Sequence, residues 1–223
     1  MKRYFLFLAI SLVAAFLALP FNAECQSTSP TEKAIKLTQP KYDGSLSVER
    51  ALLERRTVRS YKDEPLNMAE ISQILWAAQG ITEPKRGLRT APSARALYLL
   101  NTYLLVGNVT GLQVGMYKYQ PQGHELVKIA DRDVKAELYK AVGQATIRNA
   151  PAVLVFTGLS DRSTNPRWMY LEAGHAAQNV FLQARSLKLG TVTVGGFKDA
   201  DVMVVLNLSN KEEPIYVMPL GRK

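Results

Sequence analysis

Residues 168–189 carry the strongest helical pattern in the chain. Leu171, Ala177, Val180, Phe181, Ala184 and Leu187 recur at helical spacing and form a broad apolar surface, with Gly190 as the expected stop. A helix that apolar must be largely buried, so the fold has to supply a core along its length. Just upstream, residues 152–157 form a short apolar, β-branched run of the kind found in a strand covered on both faces.

The other segments complete an alternating picture. A helix is expected from Ser47 to Arg55 or Arg56, with Val48, Leu52 and Leu53 at helical spacing, and a second from Asn67, where Asn67 and Glu70 make a capping-box pair and Gly80 ends the helix. A polar, basic loop follows at 82–90, then a loop entering a short helix at 91–98 and a strand at 102–106. Residues 114–119 and 125–129 read as two arms of a hairpin around the turn Pro121, Gln122, Gly123 and His124. A helix at 133–141, strands at 191–194 and 215–218 and a helix at 200–206 finish the chain. Helices and strands interleave without a strict βαβ rhythm and a hairpin interrupts them, which predicts an α+β sandwich.

The N-terminus is of another kind. Met1, Lys2 and Arg3 precede an apolar run at 4–19 broken only by Ser11 and closed by Pro20, the pattern of a secretory leader. The run is slightly long for a leader core and short for a helix crossing roughly 30 Å of hydrocarbon. A signal peptide over 1–25 with a cut near Ala23 to Cys25 is therefore expected, followed by a linker or wrapping arm at 26–46 and a domain at 47–223. That predicts an exported, extracytoplasmic or periplasmic protein. An uncleaved anchor, giving membrane association through this segment, and lipidation at Cys25 are the lesser alternatives, the latter because Glu24 stands where a small residue is usual. With Cys25, the single cysteine, gone or modified, neither a disulfide framework nor a thiol nucleophile is available.

The net charge of +9 falls by one when Lys2, Arg3 and Glu24 leave, so the mature chain stays basic. Nucleic acid, an anionic membrane face and anionic small molecules all suit that balance, and export argues against the first. The sequence contains no HExxH, CxxC, Walker A, GxGxxG or GxSxG pattern, which leaves metal hydrolysis, thiol redox and a serine triad without support and predicts no metal site. His175, inside the long helix, is read as a hydrogen-bonded helix residue rather than a catalyst.

Three clusters remain that suit an anionic, planar cofactor. Arg55, Arg56, Thr57 and Arg59 follow the first helix. Guanidinium groups grip phosphate bidentately, and alternate residues of an extended segment point the same way, so Arg55, Thr57 and Arg59 would converge; a solvated charge cluster fits the same residues. Pro92, Ser93 and Ala94 form a small-residue loop that lets a flat ring approach the backbone. Val194, Gly195 and Gly196 follow a strand, and paired glycines leave N–H groups open to a ligand edge. Arg222 and Lys223 offer a further phosphate grip, or an ordinary basic tail.

Together these segments resemble, in order and spacing, the FMN-dependent nitroreductase superfamily. The similar stretches are RRTVRSY at 55–61, APSARALY at 91–98, VGMYKY at 114–119, EAGHAAQNVFLQA at 172–184, LGTVTVGGF at 189–197 and PLGR at 219–222, and they look closest to the SagB-type dehydrogenase branch. The resemblance implies a three-layer α+β sandwich with a central, mainly antiparallel sheet and helices on both faces, dimeric, with FMN in a cleft at the subunit interface. It implies that Arg55, Arg56, Thr57 and Arg59 hold the phosphate and the pyrimidine side of the flavin. Pro92, Ser93 and Ala94 would line the ring from the partner subunit, Val194, Gly195 and Gly196 would flank it, and Arg222 would complete the phosphate site. The long helix becomes a core and dimer element.

The same resemblance implies catalysis by the flavin rather than by a side chain. NADH or NADPH would donate electrons and a small organic acceptor, such as a nitroaromatic or a quinone, would receive them in turn over the same ring face, by a ping-pong mechanism. Soluble nicotinamide is scarce outside the cytoplasm, so another redox protein is an alternative donor. A SagB-type dehydrogenase oxidising a C–N bond is the alternative reaction, less favoured because no large peptide-binding extension fits this length; a flavin carrier or sensor without turnover is the alternative of another class.

Overall fold

The computed structural model describes residues 34–223, so the expected leader, its expected cut and Cys25 lie outside the described residues. In chain order the elements are β1 (Ile35–Lys36), α1 (Val48–Glu54), β2 (Leu66–Asn67), α2 (Met68–Gln79), β3 (Ile81–Glu83), β4 (Leu88–Arg89), β5 (Leu100–Val106), β6 (Val109–Thr110), β7 (Gly115–Gln120), β8 (Glu125–Ala130), α3 (Lys135–Val142), α4 (Ala145–Asn149), β9 (Ala152–Leu159), α5 (Arg167–Ser186), β10 (Leu189–Thr191), α6 (Asp199–Leu206) and β11 (Glu212–Arg222).

One seven-stranded sheet organises them, in the order β1-β8-β7-β5-β9-β11-β10, and every neighbouring pair is antiparallel. Strand β9 lies inside it, between β5 and β11, and shows why helices must cover both sides. Ala152, Leu154 and Phe156 enter one core with Ile74 and Leu75 of α2 and Ala173, Ala176 and Val180 of α5. Val153 and Val155 enter the other, with Leu138 of α3, Ile147 of α4 and Val202 of α6. Period-two alternation thus feeds two apolar layers, and each fully buried large side chain contributes about 1.5–3 kcal/mol. This is the expected three-layer α+β sandwich. Among the described residues no helix is long and apolar enough to cross a membrane.

The caps explain the helix starts. The Asn67 side chain accepts the Glu70 N–H and the Glu70 carboxylate accepts the Asn67 N–H, both at 2.9 Å, completing the capping box of α2; Gly80 closes that helix. Ser47 Oγ accepts the Arg50 N–H at 3.2 Å at the head of α1.

Several expectations shift. Helix α1 stops at Glu54, so Arg55 caps it and residues after it are extended. The short helix expected in 91–98 is a single 3-10 turn, Ala94–Ala96. Helix α5 ends at Ser186 and Lys188 takes the left-handed conformation, φ 60°, so Gly190 is no helix stop: it lies in β10 beneath Val58, where an added Cβ would come within 2.6 Å of the Val58 side chain. The apolar face of α5 is also narrower than expected, because Leu171 is 54% exposed while the buried stripe is built mostly from alanines. Of the segment expected as an arm, Ile35–Lys36 pairs with β8 and extends the sheet edge.

Candidate active site

The segment after α1 is fixed by its neighbours on β10. Arg55 donates its N–H to the Ala51 carbonyl at 2.9 Å, and Val58 donates to the Thr191 carbonyl at 2.9 Å, with its side chain over Gly190. The Arg55 guanidinium packs 5.1 Å from the centroid of the Phe181 ring on α5. Arg56 bends back, donating from Nη1 to the carbonyls of Leu53 at 3.0 Å and Arg55 at 2.7 Å.

An open cleft results. Arg55, Arg56, Phe181, Arg185, Thr191 and Lys223 line it. Its charges divide unequally. Arg185 and Arg50 both pair with Glu54, whose carboxyl is held below its ordinary value: partial desolvation opposes ionisation, and the hydrogen bond and charge of Arg185 together with those of Arg50 outweigh it. Among the described residues no carboxylate pairs with Arg55 or Arg56. The cleft is therefore cationic, and its guanidinium groups can serve a bidentate anion.

Thr57 and Arg59 are exposed and do not line this cleft, because Val58 between them is the residue turned onto β10. The same strand leads on to Val194, whose backbone exchanges two hydrogen bonds of 2.9 Å with Val217, and then to Gly195 and Gly196. Both glycines are exposed and their N–H groups donate to no protein group among the described residues. At Gly195 an added Cβ would press on the Tyr216 ring at 3.1 Å, so a side chain there would crowd the turn.

Arg222 stands elsewhere. Its Nη1 and Nη2 donate to the two carboxylate oxygens of Glu70 at 2.9 and 3.1 Å, and its Nε donates to the Pro65 carbonyl at 3.2 Å. This fork ties the end of β11 to the head of α2, and it is Lys223 that reaches the arginine cleft.

Pro92, Ser93 and Ala94 lie on the loop against α5, and the helix holds it through one face. Glu172, which is 1% exposed, accepts from Ser93 Oγ at 2.6 Å, from the Leu99 N–H at 3.0 Å and from Gln79 at 3.3 Å. One turn on, His175 Nδ1 donates to the Pro92 carbonyl at 3.0 Å, and Asn179 donates to the Thr90 carbonyl at 3.3 Å. Arg95, Ala96 and Tyr98 all have φ between 50° and 56°, a conformation costing roughly 1–2 kcal/mol per non-glycine residue, which these tethers offset. Sequence reasoning missed Glu172, since a glutamate in a helix reads as a solvated residue; its place three before His175 on the apolar side of α5 was the available signal.

The loop and the cleft are separate on one chain. Glu172 and Arg185 sit at opposite ends of α5, about 20 Å apart along its axis.

The comparisons with known proteins bear on this arrangement. The model of the nitroreductase family matches residues 52–222. The chain belongs to the nitroreductase family. A protein of Methanocaldococcus jannaschii assigned to the nitroreductases is 43% identical over 185 residues, spanning 80% of this chain and 92% of that one. Among solved structures, a protein of Ralstonia eutropha assigned to the same family superposes with a TM-score of 0.76 at 28% identity, covering 86% of this chain and 90% of that one. Another from Anabaena variabilis gives 0.73 at 30% identity, covering 86% of this chain and 42% of the other. Both carry the fold described above, and the family makes this chain an oxidoreductase. The matches reach the family and do not single out the SagB-type branch.

Proposed function

We propose that this nitroreductase-family protein is an exported, homodimeric FMN enzyme that takes electrons from NADH or NADPH and passes them to a small organic acceptor. The observation that carries the reading is the cleft at Arg55 and Arg56, two guanidinium groups beside Lys223 with no carboxylate partner among the described residues. An anionic tail ending in phosphate suits it, and the open N–H groups of Gly195 and Gly196 on the segment leaving the same cleft suit the polar edge of a ring.

Bound FMN would supply the hydride transfer, which no side chain of this chain offers. The protein's part is to hold and to polarise. Arg55 and Arg56 hold the phosphate, while Thr57, Arg59, Val194, Gly195 and Gly196 border the ring system and stabilise its reduced, anionic form. Pro92, Ser93 and Ala94 come from a second copy. The spacing along α5 supports this, since the loop is held at Glu172 and His175, about 15–20 Å along the axis from Arg185 at the cleft. The exposed Val48, Leu52 and Leu53 of α1 offer an apolar face for that second copy to cover. With FMN held there, donor and acceptor would react in turn, which gives ping-pong kinetics.

The test is an absorbance spectrum of the purified chain after incubation with FMN, followed by anaerobic mixing with NADH or NADPH. Retained flavin that bleaches on mixing is the expected result. A chain that retains no flavin overturns the cofactor assignment, and retained flavin that neither nucleotide bleaches overturns the donor.

A further inference from the structure

A second cleft opens at the other end of the sheet. Strand β9 starts at Ala152, which pairs with Leu220 near the arginine cleft, and ends at Leu159, which lines the second opening, about 25 Å along the strand. This cleft is larger, about 540 Å³ counting its open mouth, and its polar lining includes Arg89, Arg162, Gln79, Asn101, Tyr98 and Tyr119.

Arg89 is the unusual member. Its guanidinium stacks 4.5 Å from the centroid of the Tyr98 ring and donates from Nη1 to Gln79 Oε1 at 2.9 Å, while its Nε is buried with no hydrogen-bond partner. Gln79 in turn donates to Glu172, so the nearest acidic group reaches Arg89 only through an amide, and that carboxylate is already occupied by Ser93 and Leu99. Burial disfavours the charge on Arg89, the charge of Glu172 favours it, and Arg162, exposed at the rim, adds a smaller like charge against it. Among the described residues neither arginine has a carboxylate within ion-pair distance.

Two guanidinium groups that line one polar cleft, one of them partly desolvated and neither paired with a carboxylate among the described residues, are stabilised by an anion between them. The rings of Tyr98 and Tyr119 add flat apolar walls. Tyr119 is fixed in place by its hydroxyl, which lies 2.8 Å from His124 Nδ1. We propose that this cleft binds a small organic anion whose carboxylate or phosphate bridges Arg89 and Arg162 and whose body lies against Tyr98 and Tyr119. The site is distinct from the arginine cleft on α1 and stands whether or not that cleft holds FMN.

The test is calorimetric titration of benzoate and, separately, of inorganic phosphate into the full chain incubated with FMN. The same titrations are made on Arg162→Gln, on Arg89→Gln and on the double variant Arg55→Ala/Arg56→Ala. Saturable binding of either probe that weakens about tenfold or more in Arg162→Gln and persists in the double variant is the expected result, as follows from loss of one charge-assisted contact. The tighter of the two probes names the headgroup. Arg162 is exposed, so its variant reports on binding even if Arg89→Gln does not fold. Absence of saturable binding by both probes, binding unchanged in Arg162→Gln, or binding abolished in the double variant overturns the site.

Discussion

Ser93 donates its hydroxyl hydrogen to Glu172, Oγ to Oε2 at 2.6 Å, while the same Oγ accepts the Tyr98 N–H at 2.9 Å. A loop with three left-handed residues is thereby anchored at both ends to one buried carboxylate. Removing that carboxylate strands the Ser93 hydroxyl, the Leu99 N–H and the Gln79 amide together. Glu172→Ala is expected to cost about 3 kcal/mol, and Ser93→Ala, which leaves the carboxylate its other partners, about 1 kcal/mol. Urea unfolding measures both. A Glu172→Ala protein within about 0.5 kcal/mol of the parent shows that the loop does not depend on this anchor.

Arg222 and Glu70 form a forked pair that is only partly exposed, with side chains 28% and 13% accessible. Glu70 also caps α2, so the pair links the end of β11 to the start of that helix. Arg222→Ala should lower stability by about 1–2 kcal/mol, discounted for its solvent access. A double-mutant cycle with Glu70→Ala should recover the coupling. On the geometry, loss of FMN retention should be larger for Arg55→Ala/Arg56→Ala than for Arg222→Ala or Arg59→Ala, measured by flavin released on gel filtration. The reverse order would move the phosphate grip to Arg222.

His124 sits at φ 46° in the β7–β8 turn, with Nδ1 2.8 Å from the Tyr119 hydroxyl and Nε2 3.0 Å from the Thr38 carbonyl. In the neutral ring Nε2 donates toward the Thr38 carbonyl, with Ser72 Oγ 2.8 Å away, and Nδ1 accepts from Tyr119; protonating Nδ1 forces the Tyr119 hydroxyl to turn from donor to acceptor. Burial lowers its pKa below the ordinary 6.5, against the smaller effect of the Thr38 hydrogen bond. Between the folded value and 6.5 the unfolded chain binds more protons, so this contribution is complete above 6.5 and is lost as pH falls through the folded value. His124→Asn keeps a residue type that tolerates the left-handed turn and should flatten that part of the stability profile. Urea midpoints measured from about pH 5 to 8 decide it, and identical slopes for parent and variant exclude His124 as the source.

Much of this fold was legible because local chemistry and tertiary packing agree. Asn67 and Glu70 cap α2 as their spacing implies, Gly80 ends it, and the turn Pro121 to His124 joins β7 to β8. What escaped depends on partners far along the chain. Ile35 and Lys36 form a strand only because β8 offers an edge, and Leu66 pairs in parallel with Val109 across a separation no local pattern records. The site divides the same way. The basic run at 55–59 announces an anion grip, but which of its residues line the cleft is set by Val58 docking on Thr191. The left-handed Arg95, Ala96 and Tyr98 are invisible to propensity, since their conformation is imposed by Glu172 from another element.

Val58 and Gly190 set the position of the arginine segment. An added Cβ at Gly190 would come within 2.6 Å of Val58 Cγ1 and 2.7 Å of its Cβ, and these atoms cannot swing aside without lifting the Val58 backbone from its bond to Thr191. Gly190→Ala should therefore destabilise by about 1–3 kcal/mol and displace Arg55 and Arg56 together, lowering FMN retention beyond what the stability loss alone explains. Compensation should follow the atoms. Val58→Ala removes the methyl contacts but leaves the Cβ clash, whereas Val58→Gly removes both, so in the Gly190→Ala background Val58→Gly should restore retention more fully despite its backbone entropy cost. Urea unfolding and flavin retention on the three variants test the order. Parent-like stability in Gly190→Ala, or better recovery from Val58→Ala than from Val58→Gly, would show that the segment is seated by contacts other than this one.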